Sequence, residues 1–272
     1  MKVCNPKISI ITIVYNDKIG LEKTIISVLN QDFSDFEFIV IDGLSTDGSL
    51  DIANRYIHHI TKYVNEKDSG IADAFNKALK LCNGEWVYFL NAGDYFVESN
   101  SLTTIYNSFL SNSKSSIVSG KVKIVDVNNV PLGYNHPNEK VSIRDLLNKN
   151  IIAHQATFIK LDVFNKIGNF KPYKIHMDYD FWIRALNCEI KFELVDEIVA
   201  CFTKNGVSSF RKNYLIALRE QLQILHNYSL INKYKYYKVY YSRYLYFLLK
   251  NIGRFLLGEK MTDVIVQNRL KR

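Results

Sequence analysis

Ile8-Ser9-Ile10-Ile11-Thr12-Ile13-Val14-Tyr15-Asn16 lies near the start of the chain, and its reading decides the fold class. Its apolar, largely β-branched residues do not alternate with polar ones. Such a run reads as a strand buried on both faces, the kind found where helices cover both sides of a parallel sheet. The flanking sequence agrees. Residues 19–30 set Leu21, Ile25, Val28 and Leu29 at helical spacing, and residues 36–41 form a second buried strand. Residues 46–57 then read as a helix, and Tyr63 and Val64 as a short strand end. Residues 71–82 predict an amphipathic helix, with Ile71, Phe75, Ala78, Leu79 and Cys82 on one face. Residues 86–90 are a further buried strand. Alternating strands and helices imply an α/β, Rossmann-like fold: a mostly parallel sheet flanked by crossover helices. Ligands of such sheets bind beyond the carboxyl ends of the strands. That rule nominates four loops, after Val14, Ile41, Val64 and Leu90.

The second half is less regular. Residues 117–127 and 151–159 read as strands, 178–186 as a helix and 198–202 as a strand. From Tyr214 onward the pattern is helical. The chain shows no internal repeat or low-complexity linker and has only 4 prolines. The expected organisation is an α/β domain over residues 1–210 with a helical appendage over residues 211–272.

With 272 residues and 47% hydrophobic content, the chain can bury a sizeable core. Cys4, Cys82, Cys188 and Cys201 are scattered without C-x-x-C spacing, which argues against a zinc site or a disulfide framework and for a reducing, cytoplasmic setting. Residues 1–6 are polar and residues 8–15 too few for a signal's apolar region, so no secretory signal is expected. No run of about 18 uncharged apolar residues predicts a spanning helix. The net charge of +8 suits nucleic acid, anionic lipid or phosphorylated ligands equally. Without a nucleic-acid motif, and with its basic residues interleaved with an apolar face, the chain is not expected to bind nucleic acid.

Each nominated loop carries polar residues directly after an apolar strand. They are Thr12-Ile13-Val14-Tyr15-Asn16, Asp42-Gly43-Leu44-Ser45-Thr46-Asp47-Gly48, Lys67-Asp68-Ser69-Gly70-Ile71-Ala72-Asp73 and Asn91-Ala92-Gly93-Asp94. A later cluster holds His154-Gln155 and His176-Met177-Asp178-Tyr179-Asp180. On residue chemistry alone, Asp42 before Gly43 can be a turn former. Asp68 and Asp73 can cap and charge a helix start, as can Asp178 and Asp180. His154 can be a structural histidine after a strand.

Together, in this order and spacing, these pieces resemble the family 2 glycosyltransferases of the GT-A fold, especially bacterial enzymes that build O-antigen and capsule sugars. The resemblance covers roughly residues 6–205. The motifs are Ser9-Ile10-Ile11-Thr12, the Asp42 to Gly48 turn, Asp68-Ser69-Gly70-Ile71-Ala72-Asp73-Ala74-Phe75-Asn76, Phe89-Leu90-Asn91-Ala92-Gly93-Asp94 and Met177-Asp178-Tyr179-Asp180-Phe181.

The resemblance implies an inverting, metal-dependent transfer of one sugar from a nucleotide-diphosphate donor, a UDP-sugar foremost, to a hydroxyl of a saccharide acceptor. Acceptors carried on undecaprenyl diphosphate fit this class, as does a place in bacterial surface polysaccharide synthesis. Asp42 would accept from the base imide, with Thr12, Val14 and Tyr15 lining the base pocket. Lys67, Asp68 and Asp73 would face the nucleoside and sugar, and Asn91 and Ala92 the donor. Asp94 would bind Mn²⁺ or Mg²⁺ with phosphate and water as co-ligands. Asn91 stands where the family usually has a first aspartate. Asp178 would be the general base, taking the proton of the attacking hydroxyl. His154, Gln155 and Asp180 would support the acceptor side. The usual Glu before the base is replaced by Met177. The competing reading is an inactive nucleotide-sugar-binding or interaction protein on the same scaffold. A processive synthase is not expected, because the Gln-x-x-Arg-Trp motif and spanning helices are absent.

The appendage resembles nothing in the family core. Tyr240, Tyr241, Tyr244, Leu245, Leu248, Leu249, Ile252, Phe255 and Leu256 recur at helical spacing, beside Lys238, Arg243, Lys250 and Arg254. Two readings stand: a helix lying on an anionic membrane surface, or one packed on its own domain or a second subunit.

Overall fold

Four parallel strands build the first half of the sheet: β1 (Ile8–Val14), β2 (Phe36–Asp42), β3 (Lys62–Asn65) and β4 (Trp86–Phe89). β1 lies between β2 and β4, and β3 flanks β2. Between them run the helices α1 (Lys18–Leu29), α2 (Ser49–Arg55) and α3 (Ile71–Leu79). The β-branched runs read from the sequence are buried as expected: Ile8, Ile10 and Ile11 on β1, and Phe38 to Ile41 on β2, are wholly inaccessible. This is a computed structural model, and it describes residues 5–135, 141–147, 150–204 and 213–257.

The second half supplies β5 (Tyr95–Phe96), α4 (Ser101–Ile105), β6 (Ile117–Val125), β7 (Pro131–Tyr134), α5 (Ile143–Leu146), β8 (Thr157–Lys160), α6 (Leu161–Ile167), α7 (Met177–Asn187) and β9 (Phe192–Thr203). The nine strands form one sheet in the order β3-β2-β1-β4-β8-β6-β9-β5, with β7 beside β6. β8 runs antiparallel to β4 and β6, whereas β6 and β9 are parallel. The sheet is therefore parallel in its first half and mixed in its second.

Three local differences from the sequence reading have clear causes. The second helix starts at Ser49, not at 46, because the Asp47 carboxylate accepts from the Ser49 N–H and hydroxyl and Gly48 turns left-handed at φ 97°. The third ends at Leu79. Most consequentially, residues 151–159 are not one strand: a tight 3-10 turn at His154–Ala156 precedes β8. It is closed by the Ala156 N–H and the Thr157 hydroxyl, both donating to the Ala153 carbonyl. The apolar run had the composition of a strand, but these bonds take the backbone out of the ladder.

The chain divides into two compact units, residues 1–210 and 211–272. The second unit contains α8 (Tyr214–Asn227) and α9 (Lys233–Leu257). They are joined through stacked Tyr214 and Phe247 rings, 5.3 Å between centroids, and the edge of His226 against Tyr236. Cys4, residues 258–272 and the side chains of Arg254, Phe255 and Leu256 lie outside what is described.

Candidate active site

The Asn91-Ala92-Gly93-Asp94 loop leaves β4 and is fastened from two sides. The Thr24 hydroxyl of α1 donates to the Asp94 carbonyl at 2.7 Å and accepts from the Gly93 N–H at 3.1 Å. The Thr203 hydroxyl of β9 donates to the Gly93 carbonyl at 2.7 Å. Gly93 sits at φ 93°, a conformation that strains any residue with a Cβ. The turn drives the Asp94 side chain inward, where it is 5% exposed. Its Oδ1 accepts from the Thr203 N–H at 3.2 Å. Burial pushes its carboxyl up to about 7, against the pull of His154, the Thr203 N–H, Gln155 and Lys23. An ionised Asp94 therefore lacks sufficient positive compensation from the protein itself.

Beside it, a cavity of about 890 Å³ opens beyond the carboxyl end of β4. That is ample for a sugar nucleotide's sugar and phosphates. Asn91, Ala92, Asp94, His154, Gln155 and Asp178 all line it. His154, delivered by the 3-10 turn, links two of these. Its Nε2 lies 3.2 Å from Asn91 Nδ2, and its Nδ1 lies 3.5 Å from Asp178 Oδ2. In the neutral tautomer whose Nε2 accepts from the Asn91 amide, the imidazole proton is on Nδ1, toward the carboxylate. Asp178 Oδ2 also accepts from Asn150 Nδ2 at 3.0 Å, and its side chain is 14% exposed. A carboxylate held by an amide, facing an imidazole and open to a cavity can accept a proton from a bound hydroxyl.

The residues fit a divalent cation of the hard type. Asp94 offers one carboxylate with an unfavourable burial, and Asn91 Oδ1 is buried with no hydrogen-bond partner among the described residues. Among the described residues no three His, Cys, Asp or Glu side chains converge as a ligand set. A cation here would take most of its ligands from phosphate and water, as Mg²⁺ commonly does.

A second group of the expected residues lies outside this cavity, at the carboxyl ends of β1, β2 and β3. Tyr15 is exposed. A Cβ on Gly43 would meet Asp68 Oδ2 at 2.4 Å and the Tyr15 ring at 3.4 Å, so these side chains flank the Gly43 backbone. Asp42 is wholly buried, accepting from the Ser45 N–H at 2.8 Å and the Tyr63 hydroxyl at 3.0 Å. Thr12, also buried, donates to the Leu90 carbonyl, and Val14 is buried on β1. Lys67 is exposed, and its carbonyl accepts from Lys77 Nζ. Asp73 accepts from the Ser69 N–H at 2.9 Å and pairs with Lys77 at 3.6 Å, and its carboxyl lies below the usual range through the Ser69 N–H bond and the Lys77 charge. The two groups are adjacent: Asp17, two residues after Tyr15, and Ile71, three after Asp68, both line the cavity.

Asp180 joins neither group. It is fully buried, paired with Arg184 Nε at 2.7 Å and Lys171 Nζ at 3.5 Å. Arg184 in turn donates to the carbonyls of Ile167, Gly168 and Asn169. This network fastens the loop between α6 and α7.

Several lining residues escaped the sequence reading: Asp17, Lys23, Asn150 and Lys174; His176, named in the later cluster without a role, lines the cavity too. Lys23 donates to Asn129 Oδ1 at 2.7 Å and lies 3.7 Å from the Tyr95 ring centroid, and burial lowers its pKa. On sequence it is an ordinary helical lysine, and only the placement of α1 brings it to the cleft. Asp17 is the N-cap of α1, accepting from the Gly20 N–H at 3.0 Å.

This arrangement puts a polar, acid-bearing cleft at the strand ends of an α/β sheet, where such sheets bind their ligands. The profile of glycosyl transferase family 2 matches residues 9–189, and the chain belongs to that family and is a glycosyltransferase of the GT-A fold. It is similar to a PGL/p-HBAD biosynthesis glycosyltransferase of Mycobacterium bovis, 31% identical over 206 residues, covering 74% of this chain and 78% of that one. An uncharacterized glycosyltransferase of Methanocaldococcus jannaschii is 24% identical, covering 79% of this chain and 76% of that one. Among solved structures, S. aureus TarS 1–349 in complex with UDP-GlcNAc superposes with a TM-score of 0.62 at 23% identity, over 81% of this chain and 67% of that one. The mannosyltransferase PcManGT of Pyrobaculum calidifontis, in complex with GDP-Man and Mn²⁺, gives a TM-score of 0.62 at 17% identity, over 85% and 66%. This chain thus spans about two thirds of the length of those solved chains, and at these identities the likeness is one of fold.

Proposed function

We propose that this glycosyltransferase moves a single sugar from a nucleotide-diphosphate donor to a hydroxyl of a saccharide acceptor, with inversion and with a divalent metal. The observation that carries this reading is the convergence of Asp94, Asn91, His154 and Asp178 on one cavity. UDP is the preferred nucleotide, on the family resemblance at Asp42 and the UDP-GlcNAc bound by TarS. The Mn²⁺ bound by PcManGT supports metal use.

In this reading the nucleoside lies along Tyr15, Gly43 and Asp68, with Asp42 beneath. Asp42 has both oxygens engaged, so a base imide would share an oxygen with Ser45 or displace the Tyr63 hydroxyl. The diphosphate and sugar extend past Asp17 into the cavity. Asp94, with the Asn91 amide oxygen, would hold Mn²⁺ or Mg²⁺, which supplies charge stabilisation to the departing diphosphate. Lys23 and Lys174 add positive charge to the same space. Asp178 takes the proton of the acceptor hydroxyl as its oxygen attacks the anomeric carbon from the face opposite the diphosphate. The Nδ1–H of His154 and the Asn150 amide orient that carboxylate. Gln155 supports Asp94, and Asp180 acts at a distance by fixing the loop before α7. A lipid-linked saccharide, such as one on undecaprenyl diphosphate, is the proposed acceptor, in surface polysaccharide synthesis.

Asp178→Asn keeps shape and hydrogen bonding but cannot accept a proton. Turnover should fall at least about 10²-fold, with UDP affinity by calorimetry unchanged. A variant that retains wild-type turnover refutes the base assignment.

A further inference from the structure

Helix α9 carries an apolar face that α8 leaves uncovered. Tyr237, Tyr241, Tyr244, Leu245, Leu248, Leu249 and Ile252 follow one another at helical spacing, and all are exposed, Tyr241 at 61% and Leu249 at 59%. At about 100° per residue they form one continuous stripe roughly 140° wide. The opposite ring set belongs to the hairpin itself: Tyr236 meets His226, and Phe247 stacks on Tyr214. Beyond Tyr241 the stripe is thus separate from the contact between α8 and α9.

Next to the stripe lies a second feature. A pocket of about 410 Å³ between α8 and α9 is lined by Arg219, His226 and Lys233 together with tyrosines. Tyr237 and Tyr241 belong to both the pocket and the stripe, so the two are continuous. Among the described residues no acidic side chain lines the pocket. Across residues 213–257 the sequence holds seven Lys or Arg and a single acid, Glu220.

An exposed aromatic and leucine face bordered by cations could bury itself in a protein partner or in the boundary of a bilayer. The residue types favour the bilayer. Tyrosine has an apolar ring and a polar tip suited to the headgroup level. The excess of positive charge complements an anionic surface and opposes the pairing of two like copies. No helix among the described residues is long and apolar enough to cross a membrane. We propose that α8 and α9 form a docking surface for anionic phospholipid bilayers. In it the α9 stripe lies in the interface, and the Arg219, His226 and Lys233 pocket receives a lipid phosphate. This does not depend on the assignment of the catalytic residues.

The test uses the full chain and sedimentation with vesicles of phosphatidylglycerol and phosphatidylcholine, or of phosphatidylcholine alone. Wild-type protein should pellet with the anionic vesicles at low salt, much less at 0.5 M salt, and weakly with neutral ones. A cation near such a surface contributes about 5-fold in partitioning. Arg219→Gln combined with Lys233→Gln should therefore weaken binding roughly 30-fold. Leu248→Glu with Leu249→Glu should abolish it, with the circular dichroism of the wild type retained. Excess inorganic phosphate at constant ionic strength should compete poorly, because the stripe holds the bilayer. Failure of the wild-type chain to pellet overturns the proposal whatever the variants do, as does equal pelleting with neutral and anionic vesicles. Sedimentation velocity supplies the rival outcome: a wild-type dimer made monomeric by the leucine substitutions, without vesicle binding, would assign the stripe to self-association.

Discussion

The buried carboxyl of Asp94 makes a prediction that needs neither donor nor acceptor. In the folded chain it titrates at about 7 because burial disfavours its charge, whereas an unfolded aspartate titrates near 3.9. Between those values the folded state binds the extra proton. Stability must then fall as pH rises from about 4 to about 7, with the full cost present above 7. That gap corresponds to about 4 kcal/mol at pH 8 and to about a third of that at pH 5. Asp94→Asn removes the charge while leaving an oxygen to accept the Thr203 N–H. Any fixed cost of seating the amide cancels when two pH values are compared. In EDTA, the stability of the variant relative to wild type should therefore rise by up to about 3 kcal/mol from pH 5 to pH 8. For a domain of this size, that is a relative gain of roughly 6–12 °C in Tm. Urea midpoints at several pH values measure it directly. A difference between variant and wild type that stays flat from pH 5 to pH 8 would refute the claim that Asp94 is held ionised at a cost.

Three further predictions bear on the same architecture. Asp94→Ala should abolish Mn²⁺-dependent donor hydrolysis and transfer. Undiminished wild-type activity in excess EDTA would remove the metal from the mechanism. Asp180→Asn leaves the Arg184 guanidinium buried without its partner and should lower stability by about 3–5 kcal/mol in denaturant melts. If a folded Asp180→Asn enzyme loses more turnover than Asp178→Asn, the base is misassigned. Gly43→Ala drives the Asp68 carboxylate away from the Gly43 backbone, so UDP affinity by calorimetry should drop about 10-fold, the scale of one 1.4 kcal/mol contact. Unaltered affinity would place the base elsewhere.

What was legible in the sequence, and what was not, follows from the range of the forces involved. The runs at Ile8 to Val14 and Phe36 to Ile41 declare buried strands because burial on both faces removes any need for alternation, a property each segment carries alone. The Asn91 to Asp94 loop is equally local, since Gly93 and the end of an apolar strand specify its turn. The Asp180 and Arg184 pair, four residues apart on one helix, was open to the same kind of reading. His154 was different. Its entry into the cavity depends on a tight turn whose bonds run to Ala153, inside a segment with the composition of a strand. Hydrophobic pattern does not register a hydroxyl that chooses a carbonyl over the ladder. Lys23 and Asn150 lie further out of reach, because nothing near them in sequence distinguishes them from solvated residues. They become part of a cleft only when α1 and the segment before β8 meet over the end of β4. The same reasoning places the determinants of acceptor choice. They should sit among residues brought to the cavity by tertiary placement, such as Tyr134, Asn135 and Lys174, rather than in the motifs that announce the family. In the proposed reading those motifs serve the shared chemistry of donor and metal, whereas discrimination between acceptors requires surfaces that the shared chemistry leaves free.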